Sequence, residues 1–153
     1  MSFAERLADP AWRTTALFLL GMILIIVVLR LLEARRVRGK FHRENIVRTG
    51  FGITYYGLDS ETSTLQRTLG ALVLLKDGLY FRARVGGQEL HIPGAAVLNI
   101  GLTNTHKGRT LRQYVVGIRF RTSEGQGETA AFRFPRPVLW ISALKDTLTP
   151  GRA

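Results

Sequence analysis

The chain of 153 residues contains no cysteine. That excludes disulfides, a thiol nucleophile and any cysteine-based zinc site, and it leaves the redox compartment open. Histidine is scarce: His42, His91 and His106 lie far apart in the chain, without metal-ligand spacing, and no metal is expected. Acid is scarce as well, with 11 Asp and Glu against 22 Lys and Arg, a net charge of +11. The acids of the second half fall mostly at turns and ends, so no pair of carboxylates is placed for acid–base work. No G-x-S-x-G, P-loop or H-E-x-x-H occurs. No enzyme and no cofactor is expected. Lysine is rare, at four residues, so the positive charge is carried by 18 arginines.

What is present begins with "ALFLLGMILIIVVL", Ala16–Leu29, fourteen residues without a charge or a hydrogen-bonding side chain. Thr14, Thr15, Leu31 and Leu32 extend it to residues 14–32, about 28 Å as a helix, against a hydrocarbon core of roughly 30 Å. Arg30 lies near enough to the end for its guanidinium to reach the headgroups. A cleaved leader would need a positive start and a small-residue cleavage site. Here the start is neutral and "RLLEARR" follows. A buried core helix would need more chain around it than remains. The expectation is one membrane span.

Charge orients it. Residues 1–29 sum to zero, whereas residues 30–49 carry seven basic and two acidic groups. Cytoplasmic flanks are enriched in Lys and Arg. The N-terminus is therefore expected outside the cell (plasma or inner) membrane and residues 33–153 in the cytoplasm. Arg35, Arg36, Arg38 and Lys40 are expected to lie at the membrane surface, attracted to anionic lipid. With the span accounting for this basic cluster, nucleic acid is not the expected partner, and a membrane-tethered nucleic-acid binder is left as a distant alternative. The expected organisation is a short extracytoplasmic N-terminus (1–13), the span (14–32), a basic juxtamembrane segment and linker (33–67), and a β domain (68–149). The linker holds one possible strand at "ITYY".

From Thr68 the pattern is β, a short apolar run first and a hydrophobic period of two after it. "TLGALVLL", "LYFRARV", "ELHI", residues 96–103, "QYVVGIRFR" and "TAAFRF" read as six strands. Asp77-Gly78 and Gly86-Gly87 mark tight turns. "NTHKGRT" reads as a loop holding His106. In "LYFRARV", Leu79, Phe81, Ala83 and Val85 share the inward face. Pro137 opens a final helix in which Trp140, Leu144 and Leu148 recur every four residues, and Pro150-Gly151 ends it. Short turns imply antiparallel strands. The fold class is thus one N-terminal transmembrane α-helix plus a mainly β domain. The domain is a bent antiparallel sheet or partly open barrel, closed by a C-terminal amphipathic helix.

This order, with "LVLLKDGLYFRAR", "IPGAAVLNI", "AAFRF" and a closing helix that carries Trp140, resembles the bacterial pleckstrin-homology-like domains, PH and GRAM types included, over about residues 68–149. The resemblance implies a binding or adaptor module at the membrane that takes a protein partner, with anionic-lipid sensing as the alternative. Lipid-binding members carry a basic pattern on the first hairpin, which Lys76, Arg82 and Arg84 match and which implies contact with an anionic headgroup. Against that, Asp77-Gly78 makes a tight turn without a loop to enclose one. The identity of any partner and the oligomeric state are not written in these residues.

Overall fold

Pro10 opens the first helix, α1 (Pro10–Arg38), where its missing N–H costs nothing and its fixed φ suits the first turn. No proline follows within it, and its 29 residues extend for about 43 Å. A computed structural model of the chain describes residues 10–61 and 64–149. The chain divides into two compact units, residues 1–36 and 37–153. Among the described residues one helical stretch, Ala11–Arg38, is long and apolar enough to cross a membrane, and its apolar part is wholly unburied. Leu17 and Phe18 are 68% and 72% exposed.

The second unit is a seven-stranded antiparallel sheet: β1 (Ile46–Leu58), β2 (Thr68–Leu75), β3 (Gly78–Ala83), β4 (Glu89–Pro93), β5 (Val97–His106), β6 (Arg109–Arg121) and β7 (Gly127–Arg133). Their spatial order is β4-β3-β2-β1-β7-β6-β5, so the sheet is bent but does not close into a barrel. The six strands expected from Thr68 onward are all present. The seventh, β1, lies in residues 44–67, which read as a linker with one possible strand.

β1 is the corner of the sheet. Its first ten residues pair with β2, and its end, from Thr54, pairs with β7. Register shifts at Phe51/Ile53 and Tyr55/Leu58 coincide with Gly52 (φ 69°) and Gly57 (φ 87°). Only glycine takes that conformation without strain, and such bulges bend a strand sharply. The glycines that look like linker punctuation are what carries β1 from one half of the sheet to the other.

Inside the bend lies the main core. Ile53, Tyr55, Leu72, Phe81, Ile118 and Phe132 are all fully buried there. The final helix, α2 (Pro137–Leu148), packs on β5 and β6 and turns Trp140, Leu144 and Leu148 inward, as expected. Trp140 stacks on Phe134 at 4.8 Å between ring centroids, and Arg48 lies 5.1 Å over its ring. The stop expected at Pro150-Gly151 and part of the N-terminal segment, residues 1–9, lie outside the described residues. Two smaller clusters cover the outer faces. Val37, Ala71, Val73, Leu75 and Tyr80 form one, and Tyr56, Leu111, Val115 and Ala131 the other.

Three local expectations are corrected. Val85 does not point inward: β3 ends at Ala83, the chain leaves the sheet through Gly86 and Gly87 at positive φ, and Val85 is 81% exposed. "NTHKGRT" is not a loop, because β5 and β6 run on to a two-residue turn, Lys107 (φ 52°) and Gly108 (φ 68°). His106 is accordingly a buried strand end, 4% exposed, instead of a loop residue.

Candidate functional site

Two surfaces of the second unit gather charged or unpaired groups. The first lies on the outer face of β3. Lys40 donates to the Glu89 carboxylate at 2.6 Å and to the Tyr80 hydroxyl at 3.2 Å, with its Nζ 4.6 Å from the Tyr80 ring centroid. Arg82 Nη1 lies 3.4 Å from the other Glu89 oxygen. Phe41 packs edge-on against Tyr80 at 5.0 Å. The hydrogen bond with Glu89 raises the Lys40 pKa, and that same bond lowers the Glu89 pKa. Burial raises the Tyr80 phenol, although Lys40 opposes this. One carboxylate thus serves two cations at an exposed site, where such pairs contribute little to stability.

The residues expected to meet an anionic headgroup are not brought together. Lys76 sits at the β2–β3 turn, whereas Arg82 is four residues up β3 from Gly78, about 13 Å along the strand. Arg84 lies beyond the strand end, with its backbone N–H on the Leu69 carbonyl at 2.9 Å. The β2–β3 hairpin is also the second of the sheet, since β1 and β2 form the first. Arg35, Arg36 and Arg38 are exposed on the last turns of α1, and Lys40 is engaged as described.

The second surface is the free edge of the sheet and the outer face beside it. Both terminal strands have one unpaired side, but they differ. β4 is five residues long and ends in Pro93. Short edges with proline are protected against pairing. β5 is ten residues long, with Leu98 and Leu102 39% and 49% exposed. Beside it the outer face sinks into an open depression of about 600 Å³, lined by Asn99, Gly101, Thr103, Gly117, Arg119 and Thr129 among others. Gly101 stands directly opposite Gly117, and Asn99 opposite Arg119. Arg119 in turn faces Thr129 on β7.

One wall is the β5–β6 turn, folded over the end of β1. His106 Nε2 lies 3.0 Å from the Gly57 carbonyl. His106 Nδ1 lies 3.1 Å from Asp59 Oδ1, which also accepts the Lys107 backbone N–H at 3.2 Å. Glu128 is likewise used internally, accepting the Ser60 and Thr129 N–H groups. No carboxylate lies within ion-pair distance of Arg119 or Arg121 among the described residues. Sequence reasoning placed these arginines outward but did not single out Asn99, Gly101 or Gly117. The available signal was one glycine in the middle of each of two neighbouring strand patterns, "NIGLT" and "VVGIR".

No protein-family model and no curated protein matches this chain. Its shape does match solved structures. One chain of "The 8S snRNP Assembly Intermediate" superposes with a TM-score of 0.55 at 11% identity, over 73% of this chain and 90% of that one. The Vps36 N-terminal PH domain superposes with a TM-score of 0.52 at 16% identity, over 71% of this chain and 83% of that one. At such identities the likeness is one of fold alone. The second unit has the pleckstrin-homology-like fold.

Proposed function

We propose that the chain is a single-pass, membrane-anchored adaptor whose pleckstrin-homology-like unit binds a protein partner at the cytoplasmic face. Enzymatic activity is no part of this reading. Two features support the anchor: the unburied apolar helix, longer than a bilayer core is thick, and the cationic flank at its C-terminal end. Tethering would confine the unit to the membrane plane and raise its effective concentration near a membrane-bound partner. The fold supports a binding module, since it displays a sheet and loops on a rigid scaffold.

The observation that carries the choice of a protein partner is the edge of β5. From Leu98 to Thr103 one side of this strand faces no other strand and exposed leucines lie along it, and an extended segment of another protein can complete such an edge. The anionic-lipid reading draws on Arg82, Arg84 and the juxtamembrane cations. It is weakened by the separation of Lys76 and by the sharing of Glu89 between Lys40 and Arg82.

A photoreactive amino acid at Leu102, compared with one at Lys76, in the full chain expressed in cells, tests the choice. Discrete protein adducts from position 102 and none from position 76 are expected. Lipid adducts from position 76, with nothing from position 102, would replace the adaptor reading by the lipid-sensing one.

A further inference from the structure

Most glycines of the sheet have a reason inside the fold. A Cβ on Gly50 would meet the Trp140 ring at 2.5 Å, one on Gly78 the Ile92 carbonyl at 2.7 Å, and one on Gly70 would fall onto the Arg82 carbonyl. Gly52 and Gly57 need positive φ. Gly101 and Gly117 have none of these reasons. Their φ is ordinary; a Cβ on Gly101 would meet nothing within 4 Å, and one on Gly117 only ordinary contacts at 3.4 Å and beyond. Glycine inside a strand weakens it, and it also leaves room for a close approach. Here two of them lie side by side and leave bare backbone from the open edge of β5 across to β6.

That bare strip matters to a strand added at β5. Such a strand would lie about 4.8 Å beyond the edge, and so roughly 10 Å from β6. Its side chains on the outer face would look across Gly101 toward Arg119. With a side chain at 101 the path would be blocked. Arg119 lies over Gly127 on β7, 3.6 Å from where a Cβ there would stand; turned back over bare Gly117, its guanidinium can meet a long acidic side chain that reaches in across Gly101. Arg121 and Arg133 lie on the same face as Arg119, and the neighbouring acids Asp59 and Glu128 are held by backbone N–H groups. On the opposite face of β5, Leu102 pairs with Val116 and is half exposed. It offers an apolar contact to the residues of the added strand that face it on that side.

We infer that the β5 edge, with the Gly101–Gly117 strip and Arg119, takes an extended acidic segment of a partner protein in which acidic and apolar residues alternate. The inference rests on the adaptor reading and gives its partner a chemistry. A second copy of this chain fits poorly, because its β5, "VLNIGLTNTH", holds no acidic residue to meet Arg119.

The test uses the full chain in nonionic detergent micelles and three blocked ten-residue peptides, alternating Glu–Val, Gln–Val and Lys–Val, followed by fluorescence anisotropy. Glu–Val should bind about tenfold tighter than Gln–Val at low salt, Lys–Val weakest, with the preference shrinking as the ionic strength rises. Arg119→Gln should weaken Glu–Val and leave Gln–Val unchanged. Gly101→Val should abolish the preference for Glu–Val without lowering the thermal midpoint. Leu102→Asn should weaken both peptides.

Equal binding of Glu–Val and Gln–Val would overturn the acidic segment and leave the edge as a protein site. Glu–Val binding indifferent to both Gly101→Val and Leu102→Asn would place the contact elsewhere and overturn the inference. No binding by any peptide would remove the edge reading and this inference together.

Discussion

Trp140 shows how much one side chain can hold. It is 5% exposed, stacks on Phe134, lies under Arg48 from β1, and leaves no room for a side chain at Gly50. Trp140→Ala should destabilise the sheet unit by about 3–5 kcal/mol, as for buried aromatics generally. Urea unfolding of the full chain in micelles, followed by far-ultraviolet circular dichroism, measures this. An unchanged midpoint would show that α2 does not close the core. Glycines make a sharper contrast. Gly70→Ala drives a methyl group into the backbone of β3 and should lower the midpoint markedly. Gly101→Ala places one in open space and should leave stability unchanged or raise it by roughly 0.5–1 kcal/mol. Equal losses from both would mean that the outer face beside β5 is not open.

Glu128 belongs to the same scale. Burial pushes its carboxyl up, but hydrogen bonds from Ser60 and from the backbone N–H groups of Ser60, Thr129 and Asp59 outweigh that and hold it below its ordinary 4.5. A folded-state pKa lower than the unfolded one stabilises the fold above about pH 4.5, and that contribution is lost as the pH falls below it. Unfolding midpoints measured from neutral to acid pH should therefore decline more steeply for the natural chain than for Glu128→Gln. Parallel curves would show that this carboxylate does not contribute.

At the scale of elements, β1 is where sequence and structure part. Strands β3 to β7 were legible because apolar residues alternate and turn residues separate them, and β2 as a short apolar run ended by Asp77-Gly78. α2 was legible from Trp140, Leu144 and Leu148. β1 was legible only at "ITYY", because Gly50, Gly52 and Gly57 interrupt its alternation, and a bulged corner strand needs those interruptions in order to turn. The full length of β1 makes the β2–β3 hairpin, with Lys76 at its turn and Arg82 on β3, the second of the sheet. The β5–β6 turn was hidden for a related reason. Lys107-Gly108 is a weak turn signal beside Asn-Gly, and its left-handed lysine is anchored by Asp59, 48 residues away in sequence. The outer strip was half legible, since the period-two pattern places Arg119 outward, but the pairing of Gly101 with Gly117 needs the register. Hydrogen exchange of the full chain tests the arrangement. Amides of β1 that pair with β2 and β7 should be among the slowest, and alternate amides of β5 should exchange far faster than those of β6. Fast exchange throughout β1 would make it the peripheral segment that its glycines imitate.

For the whole molecule, the charge has two parts. The cations at the end of α1 fit an orienting flank, whereas Arg119, Arg121 and Arg133 cover one face of the sheet unit and fit an acidic partner. Both readings need the sheet unit on the cytoplasmic side, attached to a helix that stays in the bilayer. A paired reporter fused after Ala153 tests this most directly, with one fluorescent protein that matures only in the cytoplasm and one phosphatase that is active only outside it. The account predicts membrane-bound fluorescence and no phosphatase activity. Strong phosphatase activity with no fluorescence would contradict it.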